Sequence, residues 1–179
     1  MTVLPGGRPP EPTTTAGDHL AVSAGGGVFP IGRVGLWGSS IDPDDPAVGI
    51  VPGRRGHAVV RRSGAIEAAG PRPPDLAHPA AGTGDIRVVR RLPSGWWALH
   101  AGVARHLGSG RQVAVSAGAV DLAGAADPVG VDGQGRLVGT DDDVLDDPGP
   151  LDDDLVGVVT APDGGGWWIV TTAGTIVAR

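Results

Sequence analysis

The chain has 179 residues, no cysteine and a net charge of −6, which excludes disulfides and thiolate chemistry. Glycine and proline number 32 and 17, a load that fits many short strands joined by frequent turns. No run approaches the roughly 18 apolar residues of a membrane-spanning helix.

The first residues, MTVLPGGRPPEPTTTAGD, lack the apolar stretch of a secretory signal, so a cytoplasmic protein is expected. Residues 7–18 within them read as a proline-rich loop, because proline cannot donate to a strand ladder. Short apolar runs then follow in order. DHLAV (18–22) and GVFPIG (27–32) form a first pair, with VGLWGSS (34–40) as a further strand. AVGIV (47–51), GHAVV (56–60) and GAIEAAG (64–70) form a second group, followed by a long Pro/Gly-rich loop at 68–85. DIRVV (85–89), GWWAL (95–99) and GVARHLG (102–108) form a third; RQVAVSAGAVDLAG (111–124) adds a fourth strand or a strand pair. DPVGV (127–131), GRLVG (135–139) and DVLDD (143–147) form a fourth, and DLVGVV (154–159), GWWIV (166–170) and GTIVAR (174–179) a fifth.

Runs of four to six residues are too short for helices. Their valines and isoleucines suit a pleated surface, and the Asp-Gly and Gly-Gly pairs between them suit tight turns. The central words begin at 18, 56, 95, 135 and 166, at offsets of 38, 39, 40 and 31. A period of about 40 residues carrying three or four strands is the pattern of propeller blades. The expected fold is therefore all-β: a single domain over 1–179, a small propeller of five blades with three to four short antiparallel strands each. Neighbours in a strand point to opposite faces, so Trp96–Trp97 and Trp167–Trp168 are expected to fill both sides of their blades. The first blade is short of a strand and the last ends without a fourth, so N-terminal residues are expected to pair with the last blade and close the ring.

VGVVTAPDGGGWWIVTTAGTIVAR (156–179) and AGGGVFPIGRVGLWGSS (24–40) resemble a repeat common in actinobacterial proteins, of approximate form VGIA-TPDG-GYWLVASDGGVF-FGDA-FYGS. The resemblance implies a β-propeller without catalytic residues of its own, often attached to hydrolase or surface modules. It also implies an extracellular or cell-surface setting.

His19, His57, Trp96, Arg136 and Trp167 fall at the start of the five central strands. In a ring they would form a collar able to hold a sugar or an anion. The run TDDDVLDDPGPLDDDL (140–155) holds eight Asp, and without it the charge is +2. Such a run reads as a solvated acidic loop. Asp141, Asp143, Asp152 and Asp154 are the alternative, a Ca²⁺ site, but the EF-hand spacing is absent. His100 and His106 alone do not close a zinc site. A glycosidase needs two carboxylates astride the scissile bond, and the chain has two Glu, of which Glu11 lies in the proline-rich stretch. Glu67, Asp18, Asp85 and Asp127 are the remaining candidates for that chemistry. Eight Arg cluster within 54–91, but the overall negative charge argues against nucleic acid.

The sequence thus points to a non-catalytic binding or interaction scaffold with no cofactor, contacting a protein partner through loops and charged surface. A carbohydrate- or cell-wall-binding module using the collar is the alternative, and a glycosidase-like enzyme the third reading.

Overall fold

The computed structural model describes residues 19–32, 35–76, 84–161 and 166–178. These residues carry sixteen strands in five small antiparallel sheets. No helix among them is long and apolar enough to cross a membrane. Each sheet is a meander of consecutive strands. The first holds β1 (His19–Val22) and β2 (Val28–Ile31). The second holds β3 (Ala47–Gly53), β4 (Arg55–Arg61) and β5 (Ile66–Arg72). The third holds β6 (Val88–Leu92), β7 (Gly95–His100), β8 (Val103–His106) and β9 (Gln112–Ala114). The fourth holds β10 (Asp121–Ala123), β11 (Val129–Val131), β12 (Leu137–Val138) and β13 (Val144–Asp146); the fifth holds β14 (Leu155–Thr160), β15 (Trp167–Thr171) and β16 (Ile176–Ala178).

One hairpin design recurs. At Ser23–Gly27, Arg61–Ala65, Asp132–Arg136, Gly139–Asp143 and Thr171–Thr175 the first N–H donates to the last carbonyl, and the fourth N–H donates back to the first carbonyl. The fourth residue is Gly26, Gly64, Gly135, Asp142 or Gly174, all at positive φ. This is the three-residue loop closed by a left-handed residue, where glycine escapes the Cβ penalty. Asp142 (φ 62°) is the non-glycine exception of the five. The β7–β8 turn is tighter. Its two residues, Ala101 and Gly102, both have positive φ, matching the twist of the flanking strands.

The described residues divide into two compact units: those up to Val60 with Glu67–Asp75, and Arg61–Ile66 with Leu76 onward. In the first, β4 is the hub. Gly56 to Val60 are all buried, so this part of the strand is covered on both faces.

In the second unit the fourth sheet is packed on both faces. Leu122 and Ala123 are neighbours in β10 and therefore face opposite ways. Leu122 joins Val88, Leu92, Trp97 and Leu99 of the third sheet. Ala123 joins Val158, Trp167 and Ile169 of the fifth. Strand β10 packs against both β6 and β14, and β6 also touches β14. All three are edge strands, each the first of its sheet, and they meet one another on the inner side of this unit.

Several expectations need correction. Residues 35–40 form no strand; Gly38 sits at φ 126°, off the extended strand conformation. Residues 111–124 do not form a pair. Gln112–Ala114 closes the third sheet as its fourth strand, while Asp121–Ala123 opens the fourth sheet. The loop expected at 68–85 begins later, because β5 runs to Arg72. Pro71 is tolerated there because β5 is the edge of its sheet, where a missing N–H removes no ladder bond. The acidic stretch 140–155 is likewise not all loop, since it contains β13. The loop at 7–18 and the pairing of N-terminal residues with the last sheet lie outside the described residues.

The tryptophan doublets occupy both faces of their strands, but the buried member differs. In β7 it is Trp97, 1% exposed, and in β15 it is Trp167, 8% exposed. The reason is position. The third and fifth sheets flank the fourth from opposite sides, so opposite faces of the two hairpins turn inward.

Candidate functional site

The five residues expected at one level have separate settings. His19 lies in β1. His57 is buried in β4 and lines a cavity of about 270 Å³ with Ser39, Ser40 and Glu67. Burial holds its imidazole below the ordinary value, against a backbone hydrogen bond with Gly38 that raises it. The imidazole is therefore neutral near pH 7, and its Nδ1 is buried without a hydrogen-bond partner.

Trp167 is core, against the fourth sheet. Arg136 is committed to its own turn. Its Nη2 lies 2.6 Å from Asp132 Oδ2, and its Nε donates to the same oxygen at 2.8 Å. This hydrogen bond and charge keep the guanidinium above its ordinary value. Arg136 also precedes the third strand of its sheet, whereas Trp96 and Trp167 lie in second strands. Arg136 is out of register with them because β10 opens the sheet and moves β11 and β12 one place along it. Trp96 is half-buried and lines an open cleft.

Asp121 was not singled out by the sequence. It is 2% exposed and sits where the three inner strands of the second unit meet. From β6, Arg90 Nη2 donates to its Oδ2 at 2.8 Å, and Arg90 Nε lies 2.7 Å from Oδ1. The Leu122 N–H donates to Oδ1 at 2.8 Å, and the Val158 N–H of β14 donates to Oδ2 at 2.8 Å. A buried carboxylate is tolerable when paired and hydrogen-bonded in this way. Gly157 makes room for it: a Cβ there would lie 2.6 Å from Arg90 Nη2. The signal was faint. Within RQVAVSAGAVDLAG it sits in a stretch read only as strand, and only β10's meeting with β6 and β14 gives it a role.

The acidic stretch is an outer edge. Asp141–Asp147 are all exposed, and β13 is the last strand of its sheet, paired only to β12. Val144 and Leu145 within it are 47% and 56% exposed. The stretch is held at both ends. Ser116 donates to Asp142 Oδ1, and Gly139 N–H donates to the Asp143 carbonyl at 2.9 Å. Further on, Thr172 and the Asp154 N–H hold the Asp153 carboxyl below the usual range. Asp141, Asp143, Asp152 and Asp154 do not converge: no three His, Cys, Asp or Glu among the described residues gather as a metal set.

His106 serves its loop. Its Nδ1 accepts the Gly108 and Ser109 N–H groups at 3.2 and 2.9 Å, while its Nε2 lies 3.2 Å from the Ser94 carbonyl. That arrangement selects the Nε2–H tautomer. Its ring meets Trp97 edge-on at 5.0 Å.

No family model matches the chain, and no curated protein matches it either.

Proposed function

We propose that the chain is a non-catalytic interaction scaffold, a small five-bladed propeller of the repeat family its segments resemble, which takes a basic, extended segment of a protein partner along β13. The observation that carries the binding reading is the exposed acidic edge. A strand open on one side presents unpaired N–H and C=O groups, and an added strand satisfies them while side-chain contacts set specificity. Here Val144 and Leu145 supply apolar contact, and the flanking aspartates select Lys and Arg. The Ser116 and Gly139 bonds hold the edge in shape before a partner arrives.

The propeller reading is supported by five consecutive meanders, by a fourth sheet packed on both faces, and by mutually adjacent inner strands. Blades around an axis have these features. The non-catalytic reading is supported by Asp121, whose carboxylate is engaged by Arg90 and two backbone amides.

The test uses a labelled peptide of alternating Arg and Val, followed by fluorescence anisotropy. Binding is expected to weaken with salt and to be lost when Asp141, Asp143, Asp146 and Asp147 are all changed to Asn. Equal binding of a Glu/Val peptide, or full binding by the neutralised variant, would overturn the proposal.

A further inference from the structure

A second site in the same unit has different chemistry. Between the β6–β7 hairpin and β14–β15 lies an open cleft of about 400 Å³, beside another of about 300 Å³; both have Arg91 and Val159 in their walls. On one wall the Arg91 guanidinium stands over the Trp96 ring, with Cζ 5.9 Å from the centroid. The facing wall is valine: Val156 and Val159 are 59% and 54% exposed, with Val170 beside them. Thr160 lines the smaller cleft, and its hydroxyl is buried without a hydrogen-bond partner. The neighbouring Arg90 is neutralised by Asp121. Arg91 makes no ion pair among the described residues.

These groups define a ligand by elimination. A sugar, hydroxylated on all sides, would leave its hydroxyls against valine and lose their hydration. A phosphate wants several cations, and the cleft supplies one. A carboxylate fits the guanidinium fork with two parallel hydrogen bonds, and an indole beneath the cation fixes the fork's plane. The valine wall takes an apolar body. The volume suits a molecule of modest size. We propose that this cleft binds a small carboxylic acid with an apolar body, held by Arg91, Trp96 and the valine wall.

The test compares 3-phenylpropionate with its neutral analogue 3-phenylpropanol on the full chain. The readout is the Trp96 indole N–H signal in ¹H–¹⁵N spectra, identified by its loss in Trp96→Phe. The acid is expected to shift that signal saturably and to bind about tenfold more tightly than the alcohol. Arg91→Gln should bind both alike, and Arg91→Lys should keep part of the preference. Arg91 is exposed, so the fold should persist in both variants, which unchanged dispersion of the other signals verifies. If Arg91→Gln unfolds, Arg91→Lys alone carries the comparison. No shift of Trp96 up to roughly 10 mM acid, or an undiminished preference in Arg91→Gln or Arg91→Lys, overturns the proposal.

Discussion

Asp121 gathers a guanidinium and two backbone amides from three strands onto one carboxylate. Its removal leaves Arg90 without its counter-charge and two N–H groups without acceptors. Breaking such a pair by deleting one partner costs about 3–5 kcal/mol, so Asp121→Ala is expected to lose that much unfolding free energy in urea. The double variant Asp121→Leu, Arg90→Met should regain part of the loss, because the stranded charge is gone while the amides of Leu122 and Val158 stay unpaired. Recovery to the parent value would show that the amides contribute nothing; a loss below about 1 kcal/mol for Asp121→Ala would show that the carboxylate is not buried. Nothing in the word DLAG foretold this role. The stretch 111–124 reads only as strand, and the partners lie 31 residues before and 37 residues after.

The hairpins were more legible. Runs such as AVGIV, GHAVV and GWWIV became strands because β-branched and aromatic side chains between glycine turns leave few other conformations. The face turned inward was not legible. Alternation shows that Trp96 and Trp97 point apart, but only the side taken by the fourth sheet decides which is buried. A direct consequence follows for the doublets. Trp97→Ala, the second of its pair, and Trp167→Ala, the first of its pair, are each expected to cost about 3–5 kcal/mol. Trp96→Ala and Trp168→Ala are expected to cost about 1 kcal/mol or less. Denaturant midpoints followed by far-ultraviolet circular dichroism would check the order, and reversal in either hairpin would mean that its faces are misassigned. Among the expected collar residues, Arg136 leaves the register at this same scale, since it precedes a third strand while Trp96 and Trp167 lie in second strands. One extra opening strand moved Arg136 out of line, a shift that residue spacing does not reveal.

At the scale of the whole molecule, the fifth sheet poses the sharpest question. Val158, Trp167 and Ile169 face the fourth sheet. The opposite face carries Val159, Trp168 and Ile176, which are 54%, 38% and 66% exposed. Val159 and Val170 on that face line the cleft that carries Arg91 and Trp96. Val159→Lys with Ile176→Lys should then change stability by no more than about 0.5 kcal/mol per site, because both side chains stand in solvent. A loss of several kcal/mol would mean that the face is covered, as burying unpaired charge is costly. Thermal unfolding of the double variant separates the two. Composition bounded the class of the molecule well, since short apolar words and abundant glycine leave little besides small sheets. The division into two compact units was not visible, because it depends on contacts across sheets rather than on any linker.

The carboxylate at the meeting of the inner strands has a further consequence during synthesis on the ribosome. Arg90 and Asp121 emerge first and can find each other, but the amide of Val158 arrives 37 residues later, roughly 2–7 s at ordinary elongation rates. Until then a nascent chain holds a half-satisfied anion beside an apolar surface whose cover has not been translated. The final strands thus act as a latch on the third and fourth sheets, and a chain terminated upstream of that amide is expected to leave the carboxylate short of one donor.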